Sequence, residues 1–186
     1  MAMDEILLDV EEKMQAATDH LRKELRSIRT GRASAGLIEH IKVDYYGSPT
    51  DLRQLATIST PDAALILIKP FDPSSIKDIE KAIQASDVGI TPNSDGKVIR
   101  LAVPSLSTER RRQIAGQLKK MAEAARVSVR NVRRDGNKEI DKQQKASQLT
   151  EDESYKHKED IQKLTARHEE KITEVLDAKT NEIQEA

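Results

Sequence analysis

The chain has 186 residues, of which 37% are hydrophobic and 34% charged, with 31 Lys and Arg against 32 Asp and Glu. It contains no cysteine, which excludes disulfides, thiol catalysis and cysteine-ligated zinc. No run approaches the ~20 apolar residues that a membrane span needs, and the acidic start MAMDEILLDVEEKM matches no targeting peptide. These features predict a soluble cytoplasmic protein.

The placement of proline predicts the domain organisation. All six prolines lie between residues 49 and 104, and proline breaks a helix interior at a cost of ~3 kcal/mol. Only the two flanks can therefore form long helices. We predict a discontinuous helical domain from residues 1–30 and 106–186, and a small α/β domain from residues 31–105 inserted into it.

The first flank is predicted to be one amphipathic helix, because its apolar residues recur at steps of three and four. A helix with such an apolar stripe needs partner helices that bury the stripe away from water. The stripe consists of Leu7, Val10, Met14, Ala17, Leu21, Leu25 and Ile28.

The middle segment is predicted to form strands and one short helix. Residues 41–45 and 99–103 alternate apolar and polar side chains, and residues 65–68 form a short apolar run, so each predicts a strand. Turns are predicted at 47–49 and 91–96. Asp72 and Pro73 are typical of a helix start, and Ile76, Ile79 and Ile83 give the helix its apolar side.

The second flank supplies two further helices, predicted at 108–145 and 151–184, to complete an up-down-up bundle. Ser107 or Thr108 is a plausible cap for the first, and Thr150 with Glu153 matches a capping box for the second. The sequence Asp135-Gly136-Asn137 is typical of a helix stop, and we expect it to end or weaken the first of these helices. The predicted stripes are Ile114, Leu118, Met121, Ala125, Val129 and Val132, then Ile161, Leu164, His168, Ile172, Val175 and Ile183.

Charge is unevenly distributed although the net charge is only −1. Residues 107–145 carry 12 Lys and Arg against 5 Asp and Glu, whereas residues 146–186 carry 6 against 11. Basic residues recur every seven positions on the first of these segments, and seven residues drift only ~20° around a helix. The row and its close neighbours are Arg112, Lys119, Arg126, Arg130, Arg133 and Arg134.

This row is predicted to point away from the apolar stripe, with few acids within four positions to neutralise it. Arginine binds phosphate through a planar fork of donors, so the row predicts contact with a polyanion. A solvated charged face is the alternative explanation. Because no aromatic residue interrupts this face, folded RNA read through phosphate and shape is favoured over single strands.

Catalytic patterns are missing from the sequence. It contains no glycine-rich phosphate loop, no HExxH and no GxSxG. The four histidines are scattered, and His168 falls in an apolar stripe, where a core position is expected. We predict a protein that is not an enzyme and has no metal or cofactor.

Six stretches, in the expected order and spacing, are specific to one family. They are SIRTGRAS (27–34), YYGSPTDLRQLA (45–56), KAIQASDVGITPNSDG (81–96), ERRRQI (109–114), ARVSVRNVRRDGNKEI (125–140) and LTEDE (149–153). Through them the chain resembles bacterial ribosome recycling factor along essentially its whole length. The resemblance implies an α+β, L-shaped molecule, in which a small β/α/β domain is inserted between helices 1 and 2 of a long three-helix bundle.

The resemblance also implies function and site residues. A recycling factor binds RNA of the large ribosomal subunit after termination and acts with elongation factor G, whose GTP hydrolysis drives subunit splitting. Arg130 and Arg133 would be principal RNA contacts, joined by Arg111, Arg29 and Arg32, and the charge row adds Arg126, Arg112 and Arg134. The chain passes between the two predicted domains twice, and these two crossings are predicted to act as a hinge comprising Thr30, Gly31, Pro104 and Ser105.

We expect a monomer with no membrane contact. The alternative from a different functional class is a helical adaptor that binds protein partners through its charged faces. Only the RNA interpretation predicts strongly salt-dependent binding to ribosomal subunits.

Overall fold

The computed structural model describes residues 3–185, with side chains from Glu5 onward. Residues 1, 2 and 186 of the predicted segments 1–30 and 106–186 lie outside the described residues. The chain divides into two compact units, one holding the chain up to Leu25 with Ala115–Thr180, the other holding Arg26–Ile114 and the chain from Asn181. The domain boundaries after residues 30 and 105 stay a prediction.

The elements form three long helices with a set of short strands between the first and second. In chain order they are α1 (Met3–Arg26), β1 (Lys42–Tyr45), β2 (Ser48–Asp51), α2 (Leu52–Leu55), β3 (Ala56–Asp62), β4 (Leu65–Pro70), α3 (Ile76–Ala85), β5 (Pro92–Ser94), β6 (Ile99–Ala102), α4 (Thr108–Lys145) and α5 (Glu151–Glu185). The 38 residues of α4 span roughly 57 Å. The α+β fold class with a three-helix bundle is therefore confirmed.

The core of the helical unit uses the predicted faces with small shifts. On α1, Ile6 and Thr18 are buried, whereas Leu7 and Ala17 are half-buried. Because α1 ends at Arg26, Ile28 lies beyond the helix. On α4 and α5 the predicted Met121, Val132, Leu164 and Val175 are likewise only half-buried. Ala122 and Thr165, each beside one of these residues, and Ile140 further along α4 are buried instead, and His168 is buried as predicted.

Asp135-Gly136-Asn137 does not end the helix early, because α4 continues through it to Lys145, as the predicted helix 108–145 requires. Gly136 is buried, and a Cβ atom there would lie 2.8 Å from Val10 Cγ2 and 3.0 Å from Ile161 Cδ1. Glycine thus lets α1 and α5 approach α4 closely. This close packing comes at the ~1 kcal/mol that glycine costs a helix interior.

Both helix starts in the second flank are capped as predicted. The amide N–H of Glu153 donates to Thr150 Oγ1 at 3.3 Å, and the amide N–H of Thr150 donates to Glu153 Oε2 at 2.9 Å. This is the reciprocal pair of a capping box. The amide of Arg110 donates to Ser107 Oγ at 3.2 Å, so Ser107 caps α4.

The short elements build the second unit around an antiparallel sheet of order β3-β4-β6-β5, with β1 and β2 forming a separate hairpin. The three predicted strands and the helix α3 are present. The predicted turn at 47–49 lies one or two residues too late, since Tyr46 and Gly47 turn the hairpin with φ of 50° and 80°. The predicted turn at 91–96 instead contains β5, paired with β6. The core of this unit consists mainly of Val43, Leu52, Ile66, Ile68, Ile79, Ile83, Ile99 and Leu101.

Candidate nucleic-acid interface

Three arginines of α4 lie along its contact with α5 and donate to side chains of that helix. From the N-terminal to the C-terminal end of α4, successive arginines contact residues that lie progressively closer to the N-terminus of α5, as expected for antiparallel helices. The contacts are Arg126 Nη2 to Thr173 Oγ1 at 3.0 Å, Arg130 Nε to Glu169 Oε1 at 3.2 Å, and Arg133 Nη1 to Gln162 Oε1 at 3.1 Å. We call Arg126, Arg130, Arg133 and Arg134 the basic face.

Glu123 links two members of the basic face. Its Oε1 lies 2.9 Å from Arg130 Nη2, and its Oε2 lies 3.6 Å from Arg126 Nη1. Hydrogen bonds from Arg130 to Glu123 and Glu169 hold the pKa of the Arg130 guanidinium above its usual value. Arg130 therefore keeps its charge in any physiological solution.

The prediction that these arginines are unneutralised is wrong for Arg126 and Arg130. Glu123 is visible in the sequence three residues before Arg126, but its pairing with Arg130, seven residues away across two helical turns, lies outside a range of four neighbouring positions. Glu169 also lies outside that range, because it belongs to another helix. Local sequence distance is a poor guide to ion pairing where two helices pack side by side.

Arg133 and Arg134 differ, because each donates to a neutral amide. Arg133 bonds Gln162, and Arg134 Nη2 donates to Asn131 Oδ1 at 2.9 Å. Among the side chains that the structure describes, from Glu5 to Glu185, no carboxylate lies within ion-pairing distance of either. The basic face thus carries two arginines balanced by carboxylates and two whose charge is available to an external anion.

The other predicted arginines lie in the second unit, each in its own setting. Arg29 Nη2 donates to the Pro104 carbonyl at 3.2 Å, and Arg32 Nη1 lies 3.4 Å from Glu185 Oε2. Arg111 is half-buried in the first turn of α4, and Arg112 is exposed.

The predicted hinge residues combine a glycine conformation with a bond between the two chain crossings. Gly31 has φ of 85°, which favours glycine. Thr30 beside it is buried, whereas Ser105 is exposed. The bond from Arg29 to Pro104 fastens one crossing to the other.

His168 lies in the core, as predicted, and is 1% exposed. The Thr18 hydroxyl donates to the Met14 carbonyl at 3.1 Å, so its oxygen accepts from His168 Nδ1, 3.2 Å away. Burial lowers the pKa of the imidazole, and the charge of Lys171 lowers it further. His168 is thus a neutral, hydrogen-bonded core residue.

Two negative findings bear on function. Among the residues described, no group of three or more His, Asp or Glu side chains is arranged to hold a metal ion. In the same range, no helix combines the length and apolar character that crossing a membrane requires.

Sequence reasoning missed the partners that α5 supplies to the basic face, namely Gln162, Glu169 and Thr173. Gln162 and Glu169 lie seven residues apart and so share a face of α5. Their spacing was a usable indication of a common face. Which arginine each one meets depends on the register between α4 and α5, and only the packed structure fixes that register.

Comparison with known proteins decides the family. The sequence model described as "Ribosome recycling factor" matches residues 21–183. The chain belongs to the ribosome recycling factor family. The ribosome-recycling factor of Halalkalibacterium halodurans is 51% identical over 97% of this chain and 98% of its own length. That of Natranaerobius thermophilus is 50% identical with the same two coverages.

Solved structures of ribosome recycling factors share the fold. A solution structure of ribosome recycling factor is 38% identical, covers 100% of this chain and 99% of its own, and has a TM-score of 0.83. A second structure describes the T. thermophilus ribosome recycling factor and E. coli elongation factor G bound to the E. coli post-termination complex. It is 34% identical with a TM-score of 0.73, and covers 98% of this chain and 99% of its own.

Family membership settles the functional class. The chain is a ribosome recycling factor, a ribosome-associated translation factor rather than an enzyme. This agrees with the function implied by the sequence resemblance and disfavours the helical adaptor.

Proposed function

We propose that this recycling factor binds RNA of the large subunit of the post-termination ribosome through its basic face. With elongation factor G and GTP it then promotes separation of the subunits and release of mRNA and tRNA. It acts as a monomer in the cytoplasm and needs no cofactor. The factor contributes binding and mechanical coupling, while elongation factor G supplies the hydrolysis.

The charge of Arg133 and Arg134 is the observation that carries the RNA contact. Both side chains are held by neutral amides, so an approaching phosphate competes with a weak hydrogen bond and no carboxylate. Charge-assisted bonds to phosphate are roughly twice as strong as neutral ones. Binding should therefore release counterions and weaken steeply as salt rises.

The test is Arg133→Ala measured by co-sedimentation with purified large subunits across a salt series. Loss of one phosphate contact should weaken binding by about an order of magnitude and reduce the salt slope by ~0.9. The melting curve should barely change, because Arg133 lies at the surface outside the apolar core, and surface substitutions usually change stability by less than ~0.5 kcal/mol.

A matched control removes an arginine from the opposite flank of α5. Arg167 pairs with Glu11 of α1 at 3.7 Å, and Arg167→Ala changes the net charge by the same amount. It should leave subunit binding close to that of the unmodified protein. Equal losses from both substitutions would mean that binding responds to overall charge and not to the basic face.

Arg29, Arg32, Arg111 and Arg112 are proposed as further RNA contacts. Arg112 is exposed and Arg32 pairs with the exposed Glu185, so both are accessible to phosphate. Arg29 and Arg111 are less exposed, and for them we propose a contact through the guanidinium tips.

We further propose that Thr30, Gly31, Pro104 and Ser105 form a hinge that bends during recycling. The φ of 85° at Gly31 supports this, because glycine alone moves freely between positive and negative φ. Gly31→Ala restricts that movement. It should leave large-subunit binding intact but slow splitting by elongation factor G, and an unchanged splitting rate would contradict the hinge.

A further inference from the structure

Two carboxylates are built into the middle of the basic face. Glu123 of α4 and Glu169 of α5 flank Arg130 at 2.9 Å and 3.2 Å, and Glu123 also reaches Arg126 at 3.6 Å. The side chains of Arg130, Glu123 and Glu169 expose 41%, 53% and 37% of their surface. The cluster is therefore open to an incoming polyanion.

The charges of this cluster cancel. Two guanidinium groups, Arg126 and Arg130, face two carboxylates, so half of the basic face presents no net charge. Affinity for a polyphosphate depends on the number of phosphates neutralised. A phosphate that approaches Arg130 must displace Glu123 and Glu169 or tolerate their repulsion.

We propose that Glu169 and Glu123 act as a built-in counter-anion, limiting the affinity of the basic face for RNA phosphates so that the factor leaves the subunit after use. The inference rests on the proposed RNA contact and adds the residues that tune it. A factor that works repeatedly has to dissociate, and four uncompensated arginines in a row would slow that step.

The competing explanation is that the carboxylates only brace α4 against α5 or hold Arg130 in position. Exposed ion pairs contribute little to stability, typically less than ~1 kcal/mol. The two explanations differ in sign. A counter-anion weakens RNA binding, so its removal tightens binding, whereas a brace or positioning group supports binding, so its removal weakens binding or leaves it unchanged.

Glu169→Gln separates these effects, because the amide oxygen can still accept from Arg130 Nε while the negative charge is lost. Binding to purified large subunits should become roughly five-fold tighter at ~0.15 M salt, and the salt slope should steepen by ~0.9, the equivalent of one more phosphate contact. Glu123→Gln removes the other carboxylate and should act in the same direction. Helical circular dichroism checks that both variants fold.

Glu11→Gln is the matched control. Glu11 also pairs with an arginine, Arg167, but on the α1 side of α5, and the substitution changes the net charge equally. It should change affinity less than two-fold and leave the salt slope unaltered.

The outcomes are distinguishable. Tighter binding with a steeper slope for Glu169→Gln, absent from Glu11→Gln, supports the counter-anion. Unchanged or weaker binding by Glu169→Gln overturns it, while the RNA contact itself stands if Arg133→Ala still weakens binding. Equal tightening by Glu169→Gln and Glu11→Gln also overturns it, because overall charge then explains the gain. If subunit binding depends neither on salt nor on Arg133→Ala or Glu169→Gln, both the proposed RNA contact and this inference are overturned.

Discussion

Gly136 offers the sharpest test of the helical packing. In Gly136→Ala the new methyl group would lie 2.8 Å from Val10 Cγ2 and 3.0 Å from Ile161 Cδ1. Ile161 can move its terminal carbon, but Val10 is buried and β-branched, so its χ1 is stiff. Overpacking of this kind costs about 1–3 kcal/mol, against a gain of ~1 kcal/mol in helix propensity. We expect the free energy of unfolding to fall by up to about 2 kcal/mol.

Gly116 provides the control, since it lies in the same helix and an added Cβ there would meet open space beyond its own chain neighbours and helix backbone. Gly116→Ala should benefit only from the higher helix propensity of alanine and raise the free energy of unfolding by ~1 kcal/mol. The propensity terms cancel in the difference between the two variants, which isolates the clash at about 1–3 kcal/mol.

Urea unfolding followed by circular dichroism at the helical band measures both variants. Adding Val10→Ala to Gly136→Ala should relieve part of the clash, so the double variant should be more stable than the sum of the single effects predicts. If Gly136→Ala stabilises the protein as much as Gly116→Ala does, the close approach of α1, α4 and α5 at this position is wrong.

Two further predictions concern stability. Because the fold lowers the pKa of His168, the unfolded chain binds the extra proton more readily than the folded one. The free energy of unfolding should therefore be highest above the pKa of an unfolded histidine, about 6.5, and should decline as the pH falls below it. Urea midpoints at several pH values would show this decline, and His168→Gln should flatten it. A decline that persists unchanged in His168→Gln would contradict this reasoning. Thr150→Ala removes the capping box of α5 and should cost about 0.5–2 kcal/mol in the same assay. A loss no larger than that from Thr173→Ala, at an exposed mid-helix position, would show that the cap contributes nothing.

The basic face illustrates how far local reasoning reaches. Arginines spaced at seven residues share a side of any helix, so the row was predictable from the sequence. The neutralisation of Arg130 could not be predicted in the same way, because one of its two carboxylate partners, Glu169, is 39 residues away along the chain. The amide partner of Arg133 is Gln162, 29 residues away. Contacts of this kind follow from the register of two packed helices.

The sequence by itself determined the helices, their caps, the mixed middle segment, the family and the location of the arginines, since each depends on neighbours within a few positions or on a specific run of residues. Tertiary structure decided the rest. The residues next to Gly136 in the sequence are typical of a helix end, yet in the structure Gly136 is the point where Val10 of α1 and Ile161 of α5 approach α4 closely. Likewise, packing of α4 against α5 determines which arginines carry free charge, because ion pairing depends on distance in space and not along the chain.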